Sequence, residues 1–312
     1  MNRPAAPRSI DEYLKQLRAA LAGQDPALIQ DALYDAEEYL RAEVAAHPGK
    51  SEADVLELIA STYGAPEEVA AAYRDTEAKV KAALRTPVAA AGAGTSGWRR
   101  FFGVYLDPRS YTSLFYMLLT LATGIVYFTI VVTGLSLSLG FAILIIGVPF
   151  FLAFIGVARV IALGEGRLIE AISGERMPRR PVHPGPPGGW WKRIGEMLTD
   201  VRTWTTLAYL LLMLPLGIVY FTVAVTGLAV SAAFIGTLAT LFGYYAGWID
   251  FDWNDHIFMH NGEPWAPHHP FLGALFLAML GVVLLTLLLH LARGVVRVHA
   301  RLAKAMLVVP GA

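Results

Sequence analysis

The side chains in this chain best suited to hold a metal ion, or to change charge near neutral pH, gather in one stretch. Asp250, Asp252, Asp255, His256, His260, Glu263, His268 and His269 fall within twenty residues of one another. His256 and His260 are four apart, which on a helix puts both imidazoles on one face, as neighbouring ligands of a tetrahedral ion require. Pro264 and Pro267 bend the chain so that His268 can return toward them, and Asp252 adds an oxygen. Asp252, His256, His260 and His268 are therefore the candidate metal set, with a divalent ion such as zinc the fitting occupant. The same imidazoles titrate between about pH 5 and 8 and suit a pH sensor as well. A third reading competes with both. Trp248, Phe251, Trp253, Phe258 and Trp265 interleave with these residues, and amphipathic rings collect where lipid meets water. Since no motif stronger than His-x-x-x-His is present, interface anchoring ranks first.

No other stretch has the makings of an active site. The absence of cysteine removes disulfides, thiolate ligands and Cys nucleophiles. No serine sits in a nucleophile elbow. Glycines in the apolar runs follow no expected strand, so they read as close helix packing and not as a phosphate loop. A non-enzyme is expected, with no cofactor beyond the conditional metal.

The other candidate surface is acidic. Between Ser9 and Ala78 there are fifteen Asp/Glu against five Lys/Arg, although the whole chain balances at 25 of each. Such a segment repels a phosphate backbone, so direct nucleic-acid binding is not expected. It offers carboxylates to a protein partner instead, and Glu37, Glu38, Glu67 and Glu68 are the candidate partner-binding residues.

Four amphipathic helices must position those acids. Ser9, followed by Asp11 and Glu12, caps the first, whose Tyr13, Leu14, Leu17 and Leu21 recur at helical spacing. The second runs from Pro26 to Ala46 with Ile29, Leu33, Ala36, Leu40 and Val44 inward, and His47-Pro48-Gly49 stops it. Ser51 with Glu52 and Asp54 opens the third, with Val55, Leu58, Ile59 and Tyr63 inward. Gly64 ends it, and Pro66-Glu67-Glu68 opens the fourth. Residues 1–85 thus form a small soluble helical domain, and the Pro, Ala, Gly, Ser and Thr of 86–97 form a linker.

Beyond the linker the chain faces lipid. It is 55% hydrophobic and 16% charged overall, whereas a soluble domain carries about 25% charged residues. Tyr111 to Leu163 holds only Arg159 as a charge, while Trp204 to Ile249 and Phe271 to His290 hold none. Crossing a hydrocarbon core takes about 20 apolar residues. The chain also repeats itself. Gly124-Ile-Val-Tyr-Phe-Thr-Ile-Val-Val-Thr-Gly-Leu135 returns 93 residues later as Gly217-Ile-Val-Tyr-Phe-Thr-Val-Ala-Val-Thr-Gly-Leu228, identical at ten of twelve positions. At the same offset Trp98-Arg99-Arg100 returns as Trp191-Lys192-Arg193, and Asp107-x-Arg109 as Asp200-x-Arg202. Two tandem units are expected, 98–190 and 191–307.

Basic residues set the orientation. Arg99, Arg100 and Arg109 precede the first run, Arg159, Arg167, Arg176, Arg179 and Arg180 follow it, and Arg293, Arg297, Arg301 and Lys304 follow the last. Lys and Arg favour the cytoplasmic side, so both termini are expected there, in a bacterial inner membrane crossed several times. The first run then crosses twice with a tight turn near Thr133 to Gly140, and the loop 247–270, which has no Lys or Arg, lies outside. Parity leaves one crossing for Trp204 to Ile249, so 228–246, with Gly236 and Gly243, is expected as a re-entrant or interfacial piece; a fifth span is the alternative. The run interiors hold no acid or base, which disfavours coupled transport.

Two family resemblances rest on these residues. Tyr13-Leu14-x-x-Leu17, Asp35-Ala36-Glu37-Glu38-Tyr39-Leu40 and Tyr63-Gly64-Ala65-Pro66-Glu67-Glu68-Val69-Ala70 resemble the HAAS domain, a helical signalling module. The duplicated Gly-Ile-Val-Tyr-Phe-Thr stretch, Leu214-Pro215-Leu216-Gly217, and Ala158-Arg159-Val160 leading into Glu165-Gly166-Arg167-Leu168 resemble the sensor membrane domain found ahead of Actinobacterial histidine kinases. The first unit departs from that pattern, with Ala122-Thr123 where the second has Pro215-Leu216. The HAAS resemblance implies a cytoplasmic protein partner such as a PadR-like regulator. The fold expected is all-α, a small soluble helical domain plus a polytopic membrane domain of two tandem repeats. The function expected is a non-catalytic membrane sensor and signal-transduction protein that passes an envelope or bilayer stimulus to a cytoplasmic partner through its N-terminal domain. Membrane lipid is its other partner. The alternative is a membrane subunit or accessory of a transporter.

The outer-loop cluster has a direct test. If the metal set is real, calorimetry on detergent-solubilised protein gives saturable zinc binding near one-to-one, and His256→Ala and His260→Ala each weaken it strongly. An absence of saturable heat with wild type leaves the loop as an aromatic belt.

Overall fold

Local capping chemistry sets the N-terminal helices. Ser9 Oγ accepts the Glu12 N–H at 3.2 Å and starts α1 (Ile10–Ala20). Asp25 accepts the Ala27 N–H at 2.9 Å, with Pro26 in the first turn of α2 (Pro26–Ala46). Ser51 and Asp54 exchange bonds in a capping box that opens α3 (Glu52–Ile59), and α4 runs Pro66–Leu84. A cap of this kind stabilises its helix by about 1 kcal/mol. Between α3 and α4 the chain reverses at Gly64, whose φ of +99° strains any other residue. The Tyr13 hydroxyl donates to the Gly64 carbonyl at 2.9 Å and ties α1 to that reversal.

These helices close on a small core. Leu17, Leu21, Ala32, Ala36 and Leu40 are wholly buried, and the Tyr39 and Tyr63 rings stack at 4.4 Å. Burial, helped by Asp35 and Tyr39, pushes the Tyr63 phenol up to about 12. The third helix departs from expectation. Leu56 is buried there and Leu58 is 49% exposed, because eight residues give too short a stripe to fix rotation before α2 is in place.

The computed structural model describes residues 6–84, 97–141, 147–178, 180, 195, 198–248, 259–260, 263–264 and 270–308. After α4 come the short α5 (Gly97–Phe102), a 3-10 turn (Gly103–Leu106), α6 (Pro108–Gly140), α7 (Gly147–Ser173), α8 (Val201–Tyr245) and α9 (Pro270–Leu307). Two-residue strands β1 (Met259–His260) and β2 (Glu263–Pro264) pair antiparallel. Helices α6 to α9 are the four in the described residues that are long and apolar enough to cross a membrane. The chain is therefore an all-α membrane protein with a small helical domain at its N-terminus.

Two features of these helices correct the sequence reading. The stretch Thr133 to Gly140 is not a turn, because α6 stays helical through it. Gly134 is a contact residue there, since a Cβ on it would stand 2.1 Å from the Phe154 ring, and Ser138 Oγ donates back to the Gly134 carbonyl at 2.6 Å. Likewise the helix does not break at Gly236 or Gly243, and 228–245 continue one 45-residue helix, Val201–Tyr245. A glycine in a helix costs about 1 kcal/mol against alanine. Breaking a helix in apolar surroundings leaves backbone groups unsatisfied at several kcal/mol each, so the glycines yield.

The chain divides into two units, Met1–Gly94 with Tyr127–Leu211 and His299–Ala312, and Thr95–Val126 with Leu212–Val298. In the second, α6 and α8 touch through backbone. A Cβ on Gly124 would lie 2.6 Å from the Met213 carbonyl oxygen, and one on Gly217 would lie 2.5 Å from that of Thr120. Glycine lets helices approach this closely in lipid. The contact is reciprocal in sequence, because Thr120 and Met213 are separated by the same 93 residues as Gly124 and Gly217.

Candidate functional site

In the first unit the chain beyond α7 meets the N-terminal domain. Gly174, with φ +74°, ends α7 and turns the chain back, and Met177 packs over Gly166 with its Cβ 3.5 Å from where a side chain would begin. The reversal delivers Arg176 between two helices of the N-terminal domain. Its Nη2 donates to Asp31 Oδ2 of α2 at 3.0 Å, and its Nη1 donates to Glu77 Oε2 of α4. All three side chains are nearly dry, 11% exposed for Arg176, 6% for Asp31 and 8% for Glu77. A guanidinium out of water requires such partners, and two carboxylates more than neutralise it.

Weaker contacts surround this clamp. Arg180 donates its backbone N–H to Asp31 Oδ1 at 3.1 Å, pairs through Nε with Asp35 at 2.9 Å, and lies 5.9 Å from the centre of the Tyr34 ring. Asp31, Tyr34 and Asp35 share one face of α2 by their spacing. Lys304, near the end of α9, reaches Asp25 at 2.6 Å, and Arg202, at the start of α8, donates to the Gln30 amide oxygen at 2.9 Å. Three membrane-helix ends therefore converge on α2. From α4, the Tyr73 hydroxyl donates to Asp35 Oδ2 at 3.0 Å, and burial, then Asp35, raises its phenol well above the ordinary range.

Buried polar pairs lie higher on the same helices. Glu165 of α7 is 1% exposed and accepts the Tyr127 hydroxyl at 2.9 Å, while His299 of α9 is 1% exposed and sits 3.0 Å from the Tyr209 hydroxyl. Among the described residues the long apolar helices thus hold one buried acid and one buried base, both beyond the apolar runs read from the sequence. Glu165 falls two residues past the apolar run that ends at Leu163, on a helix that continues to Ser173. Two ion pairs use aspartates at the same offset of 93. Arg159 meets Asp200 at 3.3 Å and Thr203 Oγ1 at 3.1 Å. In the second unit Arg293 bonds Asp107, and each arginine follows an alanine while the two aspartates are 93 apart.

The carboxylates singled out from sequence stand elsewhere. Glu37 binds Arg41 at 2.7 Å along its own helix, Glu38 and Glu67 are exposed, and Glu68 accepts the Ala65 N–H at 3.2 Å at the start of α4. In the N-terminal domain Asp25, Asp31, Asp35 and Glu77 meet cations at or just beyond the ends of α7 and α9. The recurrence of acids at 31 and 35 on one helix face was a usable signal, as was the cluster of arginines after α7, which reads first as a topology marker. Asp252, His256 and His268 lie outside the described residues; His260 is described only as backbone, in β1 opposite Glu263.

Residues 116–307 match the family model described as "Putative sensor", and residues 12–72 match that of HAAS. No curated protein and no solved structure matches the chain.

Arg176→Met leaves two buried carboxylates without their cation, at a cost of about 3–5 kcal/mol. Amide hydrogen exchange in α2 and α4 is expected to accelerate strongly in that variant and to stay at wild-type rates in Arg297→Met, where the side chain is exposed. Unchanged exchange in Arg176→Met would show that the clamp does not hold the domain.

Proposed function

The chain belongs to the sensor family, and from that premise we propose that it is a non-catalytic receiver whose membrane helices pass an envelope or bilayer stimulus to a cytoplasmic protein partner through the HAAS domain. Its coarser role, a membrane protein of sensing and signalling, rests on the two family matches and the four apolar helices. One observation supports the finer reading, the burial of Arg176 between Asp31 and Glu77. The HAAS domain is thereby held to the end of α7, with α8 and α9 also touching α2 through Arg202 and Lys304. The charge-assisted hydrogen bonds of these pairs are directional and short-ranged, so a shift of about 1–2 Å in one helix end breaks some of them and frees α2 to move. Apolar docking would absorb such a shift.

Lys and Arg flank the membrane helices at the ends that meet the HAAS domain, which supports a cytoplasmic location for both termini in a bacterial inner membrane. The exposed Glu38 and Glu67 remain available to a basic partner, of which a PadR-like regulator is one class, together with Glu37 and Glu68 beside them. No nucleic acid need touch this acidic domain directly. The outer-loop set of Asp252, His256, His260 and His268 stays a proposal for zinc, carried by residue types alone.

Orientation is tested by single cysteines, since the chain has none of its own. An impermeant thiol reagent is expected to label Asn261→Cys in intact cells, and Glu38→Cys and Arg301→Cys only after permeabilisation. Labelling at 301 in intact cells would overturn the orientation.

Partner capture tests the function itself. Glu38→Lys with Glu67→Lys avoids the intrahelical bonds of Glu37 and Glu68, and is expected to abolish co-purification of a regulator in mild detergent while the membrane domain stays folded. Recovery of a permease or ATPase instead would favour a transporter accessory, and unchanged capture would move the contact off these residues.

A further inference from the structure

Beside the Arg176 clamp, where α2, α7 and the start of α8 meet, lies a cavity of about 70 Å³. A single water needs about 15 Å³ by such a measure, so the space holds several waters or one tetrahedral anion. Arg159, Arg180 and Arg202 line it, and Asp200 is the acid among its lining residues. That acid is already engaged. Its Oδ2 takes Arg159 at 3.3 Å and its Oδ1 takes the backbone N–H of Arg202 at 3.0 Å.

Arg202 is the informative member. Its side chain is partly buried, and among the described residues its side-chain bond goes to a neutral group, the Gln30 amide oxygen at 2.9 Å. A guanidinium carries five N–H donors in a planar fork. Holding one partly out of water, near two more arginines, costs desolvation and repulsion, and the two carboxylates at hand, Asp200 on Arg159 and Asp35 on Arg180, leave three guanidinium charges against two acids. An anion in the cavity removes both costs at once. The other wall, Ala162, Leu163 and Met177, is apolar and suits the neutral part of a larger ligand.

We propose that Arg159, Arg180 and Arg202 bind a phosphate group, supplied by an anionic lipid headgroup or by free phosphate. Forked guanidinium groups from separate elements match the several oxygens of a phosphate, and basic residues at helix ends attract anionic lipid. Because Arg180 comes from the segment that also pairs with Asp35, and Gln30 belongs to α2, occupancy of the site touches the HAAS domain directly. The proposal deepens the sensor reading by giving the receiver a ligand class. Its test reads binding alone, so either can fail without the other.

The full chain, delipidated in detergent, is offered phosphatidylglycerol or phosphatidylcholine and weighed by native mass spectrometry, with calorimetry against inorganic phosphate alongside. Wild type is expected to retain one phosphatidylglycerol and no phosphatidylcholine. Binding should weaken at least tenfold in Arg202→Gln and in the more exposed Arg180→Gln, and hold in Arg297→Gln. Saturable phosphate heat that the same two variants lose, without lipid retention, assigns the site to soluble phosphate. The proposal is overturned if wild type saturates with neither probe, or if Arg297→Gln weakens binding as much as Arg202→Gln does.

Discussion

A guanidinium removed from water sets the terms for half of this molecule. Arg176 is held by Asp31 from one helix and Glu77 from another, and none of the three side chains keeps much contact with solvent. Satisfying that charge fixes several things at once: the reversal at Gly174, the packing of Met177 over Gly166, and the spacing of α2 from α4. Buried ion pairs contribute more to geometric selection than to net stability, because their attraction does little beyond offsetting desolvation. The outlying pairs at Arg180 and Lys304 are wetter and individually weak, so they adjust around an arrangement that Arg176 dictates.

What could be read from the sequence was what depends on neighbours in the chain. Ser9, Asp25, Ser51 and Gly64 mark their helix ends through local bonds and φ, and the structure uses each of them that way. Apolar runs likewise marked the membrane-capable helices, since length and composition are local properties of the chain. Rotation of α3 was harder, because Leu56 and Leu58 compete for one inward slot and only a neighbouring helix chooses between them. Gly236 and Gly243 misled for one reason: a missing side chain reads as a breaker from sequence, whereas in apolar surroundings the helix persists through it.

The ion-pair site was hidden for a different reason. Its acids come from α2 and α4 and its cations from three helix ends, with sequence separations of about a hundred residues or more. No periodicity encodes such pairings. Arginines that report orientation and arginines that hold another domain look alike in a linear reading, and only burial separates Arg176 from the exposed Arg297. The buried Glu165 and His299 belong to the same class, polar groups whose hydroxyl partners, Tyr127 and Tyr209, lie on other helices.

The reciprocal glycine contact has a consequence for mechanics. Gly124 and Gly217 occupy matched positions in matched sequences, yet two residues before Gly217 stands Pro215, inside α8, where the first copy has Ala122. Proline removes one rung of the backbone ladder and wedges against the preceding turn, so α8 bends there at less expense than α6 does at its own crossing. Two helices that touch through the same atoms thus differ in stiffness. A load applied across the contact is taken up as curvature in one helix and as rigid tilt in the other, which gives a reciprocal contact a built-in direction.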